Sequence, residues 1–211
     1  MIEREPRWPV LLAILSCGGL NWLLPESISA GPGWIVVALA GVLGLCSMLT
    51  VGRNETVHLI FAYGTQAVVT LSLAFAVVTL LTDVLAHKAK AEDLLQGAAG
   101  IWALNVLVFA TWYWRLDAGG PVQRRQHHTY REGAFLFPQA TLSKEARDTM
   151  EIDNWHPQFL DYLFVSFNTS TAFSPTDCPV LSRWAKAMMM LQSLIALTSI
   201  ALVAARAVNI L

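Results

Sequence analysis

The feature that most restricts this chain is the grouping of its apolar residues into runs close to 20 residues long. That is about the length a helix needs to cross the roughly 30 Å hydrocarbon layer of a bilayer. Residues 9–24, 34–51, 57–86 and 96–115 form such runs, and a last one covers about 180–208. Only 14% of the residues are charged and 55% are hydrophobic, whereas about 25% are charged in soluble domains. A water-soluble core cannot absorb that much apolar surface, so the predicted fold is all-α: an integral, multi-pass protein of the cell membrane with about five transmembrane helices.

The segments between the runs fit this division. The first run follows Glu3-Arg4-Glu5-Pro6-Arg7, as a signal peptide would, but Asn21-Trp22-Leu23-Leu24-Pro25 is too bulky for a cleavage site. It is read as a retained span. Residues 25–33 hold two prolines and two glycines and make a turn. Trp22 and Trp34 flank it as an aromatic belt would. The third run exceeds one crossing, so that helix tilts or projects into water. Trp112-Tyr113-Trp114-Arg115 is an interfacial anchor. Three regions result: a four-helix membrane region over 1–115, a polar interfacial loop over 116–157, and a C-terminal unit over 158–211. Within the loop, residues 142–152 have helix-forming composition, which predicts a small interfacial cap.

Several chemistries lack their residues. A formal net charge of -1 with no basic stripe gives no nucleic-acid surface. Cys17, Cys46 and Cys178 show no CxxC or His-adjacent spacing, and His127-His128 has no third ligand at a useful distance in sequence. No metal and no cofactor are expected. No nucleophile–base pair is evident for an enzyme, even one using His127, His128 or Asp177.

Residues 158–170 are apolar and aromatic but too few to cross, which suits a re-entrant half-helix. They lead into Thr169-Ser170-Thr171-Ala172-Phe173-Ser174-Pro175-Thr176-Asp177, then Cys178-Pro179 and the last span. Irregular backbone at membrane depth is tolerated where protein buries it or where it lines a water-filled cavity.

These residues resemble the pore-loop ion channels of the potassium-channel type, whose signature T-x-T-T-V-G-Y-G-D follows a short pore helix. Thr169, Thr171 and Asp177 fall on two of the family's threonines and its closing aspartate without a gap. Pro179-Val180, Trp184 and Lys186 look like the opening of the family's inner helix. The resemblance covers roughly 50 C-terminal residues. It implies a homo-oligomer, four subunits around an axis formed by the loop and the last helix, and monovalent cations as the passing ion.

The departure is that Phe173-Ser174-Pro175-Thr176 stands where the family has V-G-Y-G. Glycines let that backbone turn successive carbonyls toward the ion, whereas Pro175 fixes its φ and lacks an amide proton. Stacked carbonyl rings are therefore not carried over. The expected ion pathway uses the hydroxyls of Thr169, Thr171, Ser174 and Thr176, the carboxylate of Asp177 at the mouth, and Gln192 on the last helix. The competing expectation is a non-conducting membrane scaffold that keeps a pore-like fold.

Gln66, Asp83, Asn105, Asn168 and Gln192 are polar residues at membrane depth, candidates for function or for interhelical bonding. Small residues Ala40, Gly41 and Gly44, with Ala201, Ala204 and Ala205, offer close helix contact for oligomerisation. With five spans, eleven of the Lys and Arg residues share one side and three the other. The positive-inside rule puts the N-terminus, the long loop and the pore-like loop in the cytoplasm; the resemblance puts that loop outside. No span carries a row of arginines, which argues against steep voltage gating.

Overall fold

The structure is a computed structural model that describes residues 7–25, 28–29, 31–86, 90–124, 133–152, 155–174 and 177–210. Its long helices are α1 (Trp8–Leu23), α2 (Trp34–Thr50), α3 (Glu55–Leu85), α4 (Ala91–Leu116) and, at the end, α9 (Arg183–Ile210). Between α4 and α9 come the short α5 (Pro121–Arg124), α6 (Pro138–Thr141) and α7 (Lys144–Thr149), then α8 (Phe159–Thr171). No strand occurs among the described residues.

Local chemistry sets the ends. Pro9 occupies the first turn of α1, where its missing amide proton costs nothing. The Asn54 side chain accepts from the Val57 amide to cap α3, and Ser143 accepts from Ala146 to cap α7. In α8 the Asp161 carboxylate accepts from the Gln158 amide at 2.7 Å, half of a capping box. The predicted cap helix over 142–152 is realised as the six residues of α7.

Among the described residues, three helices are long and apolar enough to cross a membrane: Glu55–Val84, Glu92–Gly119 and Arg183–Ala205. α1 and α2 are apolar but shorter, at 16 and 17 residues. Neighbours run antiparallel. A Cβ on Gly18 of α1 would come within 2.8 Å of the Val37 Cα of α2, so glycine is what lets these backbones meet. Ser47 near the end of α2 bonds His58 at the start of α3, and Gln66 of α3 donates to Thr111 of α4 at 2.9 Å. Gln96 of α4 reaches back to the Leu23 carbonyl of α1.

Large apolar side chains cover much of the outer face of the helices, and several polar ones lie in the seams between them. Leu12, Val42, Ile60, Leu71, Val78 and Leu194 are exposed, while Asn21, Gln66, Asn105, Ser166, Ser170 and Gln192 are buried. Such an arrangement puts greasy surface where lipid tails accept it and pairs polar groups helix to helix. Of the small residues expected at an oligomer contact, Ala40 and Gly44 are instead buried inside the chain, Gly44 against Leu11 of α1. Ala201, Ala204 and Ala205 remain exposed on α9.

α8 and α9 point the same way. Phe135 touches both starts, with its ring 6.1 Å from Tyr162 of α8 and 6.2 Å from Trp184 of α9. At the other end of α8, Ser170 meets Gln192 of α9. Against α4 both are antiparallel. Phe159 packs on Trp114, and Ser170 lies beside Trp102 and Asn105. Trp114 and Trp102 are roughly 18 Å apart along α4 at 1.5 Å per residue. α8 therefore descends about that far and stops beside the middle of α4. By Val180 the chain is back beside Phe135, where Leu136 donates to Pro179 and Leu181 donates to Ala134.

Candidate functional site

A helix that ends between other helices leaves its last carbonyls without partners. In α8 side chains from both neighbours meet that need. The indole of Trp102 donates to the Ser170 carbonyl at 3.3 Å and the Ser193 hydroxyl to the Thr169 carbonyl at 3.4 Å. The Ala172 amide donates to the Asn168 carbonyl at 2.8 Å.

One turn deeper into the subunit, Gln192 joins three helices. Its Nε2 lies 2.8 Å from the Ser166 carbonyl, 2.7 Å from the Ser166 hydroxyl and 2.8 Å from the Ser170 hydroxyl. Its Oε1 accepts from the Tyr113 hydroxyl at 2.6 Å, and its backbone carbonyl accepts from Asn105 Nδ2 at 3.0 Å. Ser166 in turn donates to the Val106 carbonyl at 2.7 Å. All of these residues are buried. The serines stand four apart in α8, so they share one face, and that face meets α4 and α9 together.

The expected pathway residues divide. Thr169 is buried and its hydroxyl donates to Val165 within α8. Gln192 is buried in the network, turned into the subunit. Thr171, Ser174 and Asp177 are exposed, Thr171 donating to the Phe167 carbonyl at 2.9 Å. Thr176 lies outside the described residues, as do His127 and His128. Exposed and buried members thus face different sides of the unit. Among the glycine-free residues, Phe173 takes the left-handed conformation, φ 53°, which costs a side-chain-bearing residue about 1–2 kcal/mol.

Of the other intramembrane candidates, Gln66 spends its amide on Thr111 and the Val108 carbonyl, and Asp83 is half-buried near the far end of α3. No cluster of metal-binding side chains occurs among the described residues.

A polar clamp at the top of the unit escaped sequence reading. Asp117 is buried just after α4; it accepts from the Tyr162 hydroxyl at 2.6 Å and from the Ala134 amide. Arg124 donates to the carbonyls of Trp114 and Asp117 at 2.7 and 2.9 Å and lies over the Tyr162 ring. The clamp fixes the start of α8 to the end of α4. Cys178 sits close by, and its thiol is pushed up to about 12, first by burial and then by the carboxylates of Asp117, Asp161 and Asp177. Those three acids therefore share the end of the unit where α8 begins.

No family model matches the chain, and no curated protein or solved structure matches it.

Proposed function

We propose that this chain is one subunit of a channel-like membrane oligomer, with α8, the segment after it and α9 turned toward a central axis. In this reading α1, α2, α3, α4 and α9 are five spans and α8 is a re-entrant half-helix. One observation carries it: Ala172, Phe173 and Ser174, the non-helical residues that follow α8, are exposed beside the middle of α4. Non-helical backbone facing hydrocarbon is not tolerated at that depth, so further copies or water must cover it. Around an axis of identical subunits both conditions are met. By resemblance the number of copies is four.

The direction of α8 supports cations as the passing species. Its carbonyl end, which carries about half a negative charge, is aimed at mid-depth. Copies of Asp177 at the mouth would add an acidic ring that attracts cations and repels anions.

The test is purified protein in liposomes, scored for cation and anion flux beside Asp177→Asn. Cation flux that exceeds anion flux, with Na⁺ and K⁺ passing alike, and a reduced preference in the variant are expected. A monomer in nanodiscs, or cation flux no greater than in empty liposomes, would refute the channel.

A second reading, the non-conducting scaffold, is favoured by the burial of Thr169 and Gln192 and by the absence of glycine from residues 173–176. Assembly into an oligomer without flux is its expected outcome.

A further inference from the structure

A second feature stands apart from α8 and α9. Where α1 and α3 begin and α2 and α4 end, the four helix termini enclose a cavity of about 240 Å³. Its polar wall includes Arg7, Glu55, His58 and Arg115, with Ser47, Thr65 and Gln123; its apolar wall includes Val10, Ile14, Leu59 and Ala62. The cavity thus lies at the end of the spans Glu55–Val84 and Glu92–Gly119, the level at which a bilayer's headgroups sit.

The cationic side is held in place by its surroundings. Arg115 lies 5.6 Å from the Tyr63 ring and 5.8 Å from the Trp114 ring, so aromatic faces rather than a carboxylate orient it. Its Nε is buried and has no hydrogen-bond partner among the described residues. A buried guanidinium donor without an acceptor is costly, and an anion is the group that relieves it. His58 is oriented too: Nδ1 lies 2.8 Å from the Ser47 carbonyl, which can only accept, so Nδ1 carries the proton. Arg7 adds a second guanidinium at the start of α1, where the helix dipole is positive.

Size and charge narrow the occupant. Glu55 stands in the same wall and would repel the second charge of a free phosphate, so a phosphodiester, with one negative charge, is the anion that suits the unpartnered Arg115 Nε. The volume is below the roughly 300–1,000 Å³ of sites for drug-sized ligands, so a headgroup fits and acyl chains do not. Leu59 both lines the cavity and is 42% exposed, next to Ile60 at 64% on the outer surface. Chains leaving past Leu59 would meet greasy surface.

We infer that this cavity binds the phosphodiester headgroup of an anionic phospholipid, with Arg115 on the phosphate, Arg7 in the same wall and the acyl chains running out along α3.

The experiment is native mass spectrometry of the detergent-purified protein titrated with phosphatidylglycerol, with phosphatidylcholine, and with phosphatidylglycerol in the presence of millimolar inorganic phosphate. One phosphatidylglycerol should bind, several-fold more tightly than phosphatidylcholine, and inorganic phosphate should not displace it. Arg115→Gln should weaken it by about tenfold or more, the loss of a charge-assisted hydrogen bond. Arg7→Gln, at the helix start, tests the same wall should the Arg115 variant fail to fold. Equal binding of the two lipids, or phosphatidylglycerol binding unchanged in a folded variant, would overturn the site. Displacement by inorganic phosphate would overturn the lipid as occupant.

Discussion

Replacing Gln192 by leucine is the sharpest test of how α8 is held, because it preserves bulk and deletes only polar atoms. Nε2 has two protons to give and three acceptors within 2.8 Å, so it makes two full hydrogen bonds; Oε1 accepts a third, from Tyr113. Bonds between membrane helices average about 0.6 kcal/mol and reach about 1.7. Three of them are worth about 2 kcal/mol, and the stranded Tyr113 hydroxyl adds about 1 more. Gln192→Leu should therefore destabilise the fold by about 3 kcal/mol, measured by equilibrium unfolding in mixed dodecyl sulfate micelles. The double mutant with Tyr113→Phe should recover part of the loss, because no buried hydroxyl then lacks a partner. A Gln192→Leu protein as stable as the parent within about 0.5 kcal/mol, but with altered ion flux, would refute the buried network and return Gln192 to the pathway.

Gly18→Ala should destabilise by about 1–2 kcal/mol, because its new Cβ meets the Val37 backbone at 2.8 Å. Gly19→Ala, with nothing within 4 Å, should leave stability unchanged or raise it slightly in the same unfolding assay. Cys178, buried and with its thiol pushed up first by burial and then by its three acidic neighbours, is almost entirely protonated at pH 8. A charged maleimide should label it slowly in the folded protein at pH 8, faster as pH rises toward 10, and at once after denaturation. Rapid labelling of the folded protein would place the thiol outside the clamp.

What sequence could read was whatever hydropathy and length decide locally. The five long helices fall within a few residues of the apolar runs, and the short run before Thr171 is a helix that ends partway along α4. Partners were harder to read. Ser166 and Ser170 could each have bonded their own helix, as Thr169 does, and only the placement of α8 between α4 and α9 makes them a shared acceptor face for Gln192. The small size of Ala40 and Gly44 suits contact with a second subunit, but both are buried within the chain, Gly44 in ordinary contact with Leu11 of α1 and Thr65 of α3. The headgroup cavity left no local signal at all, since its walls come from residues as far apart as Arg7 and Arg115.

The fate of the α8 carbonyls bears on what kind of pore such a unit can form. In a filter built of backbone carbonyls, those groups must be free to replace an ion's water. Here the carbonyls of Thr169 and Ser170 are already bonded to Ser193 and Trp102 inside the subunit, and Asn168 bonds Ala172. Phe173 makes the first turn after α8 with a left-handed residue that carries a large side chain, so that side chain, 45% exposed, takes up space on the open side. Among the described residues, the polar side chains exposed on that side are Thr171, whose hydroxyl donates to the Phe167 carbonyl, Ser174 and Asp177. Hydroxyls on rotatable side chains do not form the fixed ring of carbonyls that replaces an ion's water, and a carboxylate ring selects by the sign of charge. In the proposed oligomer, selection therefore acts on charge and only weakly on ionic radius, which is why Na⁺ and K⁺ are expected to pass alike.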